Sequence, residues 1–126
     1  MEPIVMTLIK KQRAYRFGLL TEYYIICYLF FCGYLLLKHR YKTYLGEIDL
    51  IFKKGKTIIA VEVKGRKNKD ATIENTITKK QFERIYNGLN IFLSQNDKYN
   101  RYDLRIDAVM VRGILNIEYK KNSFYL

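Results

Sequence analysis

Two strand-like runs separated by a tight-turn signal constrain this chain more than anything else in it. Gly46-Glu47-Ile48-Asp49-Leu50-Ile51-Phe52 and Ile58-Ile59-Ala60-Val61-Glu62-Val63-Lys64 are rich in residues that fit a pleated, half-buried surface. Lys53-Lys54-Gly55-Lys56 lies between them and reads as a turn. A two-residue turn with Gly55 at its first central position pairs Lys54 with Thr57. Counting outward in that register sets Asp49 opposite Glu62 and Glu47 opposite Lys64. Side chains alternate along a strand, so Glu47, Asp49, Glu62 and Lys64 are expected on one face. Ile48, Leu50, Phe52, Val61 and Val63 are expected on the other.

Such a face is costly without a cation. Like charges directly opposite on a sheet destabilise it, and a desolvated carboxylate must be paired, metal-bound or neutralised. Two acidic groups about 5 Å apart at Cβ offer hard oxygen ligands for Mg²⁺ or Mn²⁺, with Lys64 adding a positive charge beside the ion. The alternative on hairpin geometry alone is a wet polar face on which Glu47 and Lys64 form a cross-strand ion pair. A turn one residue longer would shift the pairing.

A chain of 126 residues is expected to form one domain, 1–126, with its core over about 10–112 and a short C-terminal strand and tail. Its apolar half excludes a disordered class. The net charge of +11 includes basic clusters at Lys10, Lys11, Arg13 and Arg16, at Lys38, Arg40 and Lys42, and at Lys64, Arg66, Lys67 and Lys69. This balance suits a polyanion such as nucleic acid. The chain is also heavy in Ile, Lys, Asn and Tyr, whose codons are A/T-rich, so base composition can supply part of the lysine excess. Cys27 and Cys32 sit in an apolar run at a spacing that fits no metal or redox motif. They are expected as free, buried thiols of a reducing, cytoplasmic compartment. His39 is the only histidine, which leaves schemes built on a His pair or a Ser-His-Asp triad without support. Met1-Glu2-Pro3 lacks a basic lead, so no signal peptide is expected.

Taken in order, residues 1–9 form a short apolar lead, and a helix is expected from about Lys10 to Phe31. Tyr15, Leu19, Glu22, Ile26 and Leu29 fall near one stripe of it. Gly18, one turn before Glu22, removes bulk where something approaches closely. Glu22 is then a carboxylate on a largely apolar helix, satisfied by a hydrogen-bond partner or by a cation. The apolar run from Tyr23 to Leu37 is shorter than the ~20 residues that span a bilayer, and extending it backward brings in Glu22. A buried helix stopped at Gly33, then a buried strand from Tyr34 to Arg40, accounts for it better than a membrane-associated helix.

Gly65 to Asn75 reads as a surface loop beside the acidic face. Thr78-Lys79-Lys80-Gln81 matches a capping box. It opens a helix whose stripe of Phe82, Ile85, Tyr86, Leu89, Phe92 and Leu93 is core. Lys80 and Arg84 lie one turn apart near its N-terminus, a place that favours anions; a solvated basic face explains them equally well. Tyr102 to Val111 reads as a strand with Asp103, Arg105 and Asp107 on one face. A turn at Arg112-Gly113 and an edge strand over Ile114–Tyr119 follow.

The order helix, three strands, helix, strand, with D-x₁₂-E-x-K across the hairpin, resembles the PD-(D/E)xK nuclease superfamily. That resemblance implies an α/β, restriction-endonuclease-like αβββαβ core with a mixed central sheet flanked by helices. Gly46-Glu47-Ile48-Asp49-Leu50-Ile51 followed by Val61-Glu62-Val63-Lys64-x-Arg66 is more closely similar to the YraN-like family of predicted endonucleases, related in fold to Holliday junction resolvases. Gly18, Glu22, Gly33-Tyr34, Lys80 and Arg105-x-Asp107 also match. Thr21 stands where that family tends to have a second glycine, Arg40 and Lys42 where it tends to have Asn and Arg, and Ile48 where the superfamily has its proline.

The resemblance implies a metal-dependent DNA endonuclease, acting on branched or other irregular DNA. Asp49 and Glu62 would hold Mg²⁺ or Mn²⁺, with Glu22 reaching in from the first helix and the Val63 carbonyl as a further ligand. Lys64 would position water or stabilise developing charge. Lys80, Arg66, Arg84, Arg40 and Lys42 would contact DNA. Asp107 is expected as an ion-pair partner of Arg105 rather than a ligand. Resolvase-like enzymes often act as homodimers. The other readings are a non-catalytic nucleic-acid-binding module on the same fold and a small membrane-associated protein.

Overall fold

The computed structural model describes residues 3–66, 77–113 and 115–122. Helix α1 (Ile4–Phe31) leads into strands β1 (Leu35–Thr43), β2 (Gly46–Lys54) and β3 (Thr57–Gly65). Helix α2 (Lys79–Ser94) and a short 3₁₀ turn (Asp97–Tyr99) connect these to β4 (Asp103–Gly113) and β5 (Asn116–Lys120). The sheet order is β1-β2-β3-β4-β5, antiparallel except for the β3–β4 pair, which is parallel and joined through α2. This is a mixed α/β arrangement of the restriction-endonuclease-like kind, with the fifth strand added at the edge. Two apolar clusters lie on opposite faces of the sheet. Ile85, Leu89 and Phe92 of α2 pack with Ile51, Ile58, Ala60, Ile106 and Ala108. Ile25 and Leu29 of α1 pack with Leu50, Phe52, Ile59, Val61 and Val109.

Local chemistry sets the element ends. The β2–β3 turn pairs Lys54 with Thr57, and Gly55 takes φ 60°, the left-handed geometry the Gly-Lys turn requires. Thr78 and Gln81 form a reciprocal capping box: the Thr78 hydroxyl accepts from the Gln81 N–H, and the Gln81 side chain accepts from the Thr78 N–H. Helix α1 ends on Gly33 at φ 91°, where Gly33 N–H bonds the Phe30 carbonyl and Tyr34 N–H the Leu29 carbonyl, a Schellman closure.

Several expectations need correction. Helix α1 begins at Ile4, so the apolar lead is its first two turns. Its buried residues are Thr21, Glu22, Ile25 and Leu29, while Tyr15, Tyr23, Tyr28, Phe30 and Phe31 are exposed. It lies against the sheet by one stripe rather than being buried all round. Cys27 and Cys32 are free but exposed, because Cys27 falls off that stripe and Cys32 follows the last turn. Tyr86 is likewise outside the core face of α2. Of the expected loop Gly65–Asn75, Gly65 closes β3 and the stretch after Arg66 lies outside the described residues. No described helix is long and apolar enough to cross a membrane.

Candidate functional site

The hairpin register agrees with the count from the turn, but the ladder stops short of the acidic residues. Backbone pairing of β2 with β3 runs from Lys54–Thr57 to Leu50–Val61. Beyond it, the Val63 N–H donates to the Asp49 carboxylate, with N···Oδ2 at 2.9 Å. A side chain thus takes the place of a main-chain acceptor where the strands part. The expected strict alternation fails at the same point, since Ile48 packs in the α2-side cluster and Leu50 in the α1-side cluster. In a regular strand residues two apart share a face; here the backbone turns at Asp49. Gly88 of α2 accommodates this, because a Cβ there would approach the Ile48 Cδ1 to 3.0 Å.

Around Asp49 the functional candidates divide between the two faces. Glu62 lines a cleft of about 200 Å³ on the α2 side, together with Gly46, Glu47, Gln81 and Arg84. Lys64 Nζ lies 3.3 Å from the Glu62 carboxylate, and both side chains are largely buried. A smaller cleft, about 180 Å³, opens on the α1 side between Gly18, Thr21, Glu22, Val63 and Gly65. Burial and then the neighbouring Glu62 push the Asp49 carboxyl up to about 7, with Glu22 adding to the rise and the Val63 N–H opposing it. A half-buried acid in that state needs either a proton or a cation.

Glu22 has basic partners that its spacing along the helix does not reveal. It is buried, as the helix pattern suggests, but its carboxylate is turned into two basic side chains of β1. Arg40 donates through Nε to Oε1 at 2.9 Å and through Nη2 to Oε2 at 3.2 Å, and His39 Nε2 lies 2.7 Å from Oε1. Neighbouring residues of a strand ordinarily face opposite ways. His39 and Arg40 converge because Arg40 sits at φ 55°. Among the described residues no group of three or more His, Cys, Asp or Glu side chains is placed to hold a metal ion. Asp49 and Glu62 stand together, and Mg²⁺ is commonly held by one or two carboxylates with water filling its octahedron. The donor set therefore fits a hydrated Mg²⁺ or Mn²⁺ ion without Glu22.

The expected DNA contacts are not one patch. Arg84 lines the Glu62 cleft, and Lys80 is exposed one turn earlier on α2. Lys42 is exposed and pairs with Glu47 across the β1–β2 ladder. Arg66 is exposed at the end of β3, where its main-chain N–H bonds the Val111 carbonyl. Arg40 is committed to Glu22 and stacks over the Tyr15 ring at 4.9 Å, so it belongs to the interior of the site rather than to a free basic surface. The participation of His39 was missed. Nothing in a strand-like sequence signals a left-handed arginine, and without that bend His39 and Arg40 would not meet.

The Asp49 environment predicts a pH-dependent stability. The ordinary carboxyl value is about 3.9, so the folded state holds this proton more tightly than the unfolded chain. Stability from this group is full below about pH 4 and is lost as pH rises to about 7. In metal-free buffer, Asp49→Asn is expected to stabilise the fold by about 1–3 kcal/mol at pH 8 and by almost nothing near pH 4.5. Urea denaturation at the two pH values measures this; an equal effect at both would contradict the assignment.

A five-stranded mixed sheet whose one parallel pair is joined through α2 places the chain in the restriction-endonuclease-like fold class. The family model described as "Uncharacterised protein family UPF0102" matches residues 21–111. A UPF0102 protein of Chelativorans sp. is 40% identical over 103 residues, 82% of each chain. One from Mesorhizobium japonicum is 36% identical over 118 residues, 91% of each chain, and one from Agrobacterium fabrum 37% over 102 residues, 81% of this chain and 83% of the other. The chain belongs to UPF0102, the YraN-like family, a predicted PD-(D/E)xK nuclease-like family.

Proposed function

We propose that this protein is a Mg²⁺- or Mn²⁺-dependent nuclease that hydrolyses DNA phosphodiester bonds, with branched DNA as the first substrate to test. The observation that carries the reading is the Asp49–Glu62 pair. In a chain of net charge +11, two carboxylates crowd together where the strands part, and one of them is pushed well above its ordinary range. Asp49, Glu62 and the Val63 carbonyl would hold the ion. When bound, it supplies Lewis acidity toward a phosphoryl oxygen and makes an attacking water more acidic.

Hydrolysis adds the water oxygen to phosphorus, breaks one P–O ester bond and leaves a proton on the departing oxygen. The Lys64 ammonium, held against Glu62, stands where it can oppose negative charge growing on the phosphoryl oxygens. The Val63 N–H fixes the Asp49 carboxylate, so that the donor is oriented before substrate arrives. Arg84, Lys80, Lys42 and Arg66 would contact flanking phosphates, which position the backbone without reading sequence. A second reading, a non-catalytic nucleic-acid-binding module, draws support from the engagement of both Glu22 oxygens by Arg40, with His39 also on Oε1.

Incubation with labelled linear duplex and four-way junction DNA tests the reading. Cleavage is expected with Mg²⁺ or Mn²⁺ and none with EDTA. Lys64→Ala should slow cleavage about 100-fold or more while Mn²⁺ still binds. Absence of cleavage on every substrate, or cleavage indifferent to chelator, would overturn it.

A further inference from the structure

We infer that Arg40 is a built-in counter-ion that competes with the divalent cation for Glu22, so that Glu22 stays off the metal unless Arg40 is removed. The inference rests on the metal-dependent reading of Asp49 and Glu62. Glu22 is only 7% exposed, and burying a carboxylate is costly without a partner. Arg40 supplies one as a two-pronged contact, 2.9 Å from Nε to Oε1 and 3.2 Å from Nη2 to Oε2, a geometry suited to carboxylates. A third donor site, His39 Nε2, lies 2.7 Å from Oε1.

The surroundings hold the guanidinium in place. The Tyr15 ring lies over it at 4.9 Å, and Gly18 sits beside Nη2, where a Cβ would make ordinary contact at 3.5 Å. Arg40 also accepts φ 55°, a left-handed conformation that arginine adopts at a cost and asparagine tolerates more readily. The strained backbone is what brings the side chain round to Glu22.

Yet Glu22 lines the same small cleft as Val63, whose N–H holds the Asp49 carboxylate. It borders the metal site while its oxygens are already engaged. Removing Arg40 would leave a buried carboxylate short of its principal partner beside a site that attracts cations. A divalent ion at Asp49 and Glu62 would then gain a third anionic group.

Mn²⁺ titration of the full chain by calorimetry decides the matter, with thermal denaturation in metal-free buffer checking that each variant is folded. Arg40→Asn, chosen to suit the left-handed backbone, is expected to tighten Mn²⁺ binding about tenfold or more, and Arg40→Lys to change it little. Glu22→Gln should leave the wild-type affinity almost unaltered but abolish the gain when combined with Arg40→Asn. Unchanged affinity in a folded Arg40→Asn protein would overturn the inference, as would a tenfold loss from Glu22→Gln alone. Should Arg40→Asn fail to fold, Glu22→Gln decides alone: unaltered affinity supports, a tenfold loss refutes. If the wild-type protein binds no Mn²⁺, the metal-dependent reading falls and this inference with it; if it binds and Arg40→Asn is no tighter, only the inference falls.

Discussion

Asp49→Ala is expected to reduce DNA cleavage at least about a thousandfold while leaving DNA binding and its salt dependence nearly intact. Asp49 touches both partners of the site, bonding the Val63 N–H and standing against Glu62. Without its carboxylate, Glu62 alone would hold the ion, and the shared orientation of ion and phosphate would be lost. Binding should survive because it comes from lysines and arginines on phosphates, and its dependence on salt follows from their number. In metal-free buffer it should even tighten slightly, since a negative charge near the DNA path has gone. The fold should tolerate the change, because the destabilising burial of a charge disappears along with the Val63 hydrogen bond. Cleavage assays and binding titrations at several salt concentrations give both readings. Undiminished cleavage would show that other residues do the chemistry.

The second large effect is on stability and lies away from the acidic pair. Asp107→Ala is expected to cost about 3–5 kcal/mol, because it breaks a buried ion pair from one side. Asp107 is fully buried on β4. It accepts from Arg105 Nε at 3.0 Å and Nη2 at 2.9 Å, from the Tyr119 hydroxyl and from the Asn122 main-chain N–H. Arg105 also donates to the Tyr34 hydroxyl, so one carboxylate ties β4 to β5 and to the segment after α1. Burial and the adjacent Asp107 raise the Tyr119 phenol far above its ordinary range, which keeps it a donor at any working pH. Alanine would leave the largely buried Arg105 guanidinium without its counter-charge. Chemical denaturation reads the loss directly, and a fall in Tm of roughly 10–20 °C should accompany it. A cost under about 1 kcal/mol would mean that the network adds little beyond packing.

Much of the framework was legible because it is encoded locally. The Gly55 turn fixes the β2–β3 register, and the Thr78–Gln81 capping box fixes the start of α2. Gly33 marks the end of α1, and period-two alternation places Arg105 beside Asp107. Helical spacing also put Glu22 on a buried face, but spacing carries no information about what meets it there. Its partners come from a strand 17 and 18 positions later and depend on the left-handed Arg40, a conformation that arginine does not advertise. The same limit explains the acidic face. Alternation predicts four residues on one side, whereas parting of the strands at Asp49 sends Ile48 and Leu50 to opposite clusters. The exposed cysteines show the converse limit: apolar neighbours along the chain are not apolar neighbours in space.

Manganese anomalous scattering from crystals soaked in Mn²⁺ addresses the central claim most directly. The expected result is a single peak bonded to both Asp49 and Glu62, with Glu22 still held by Arg40, and no such peak in Asp49→Ala crystals. A protein saturated with Mn²⁺ that shows its ion elsewhere, or no ion between these two carboxylates, would contradict it.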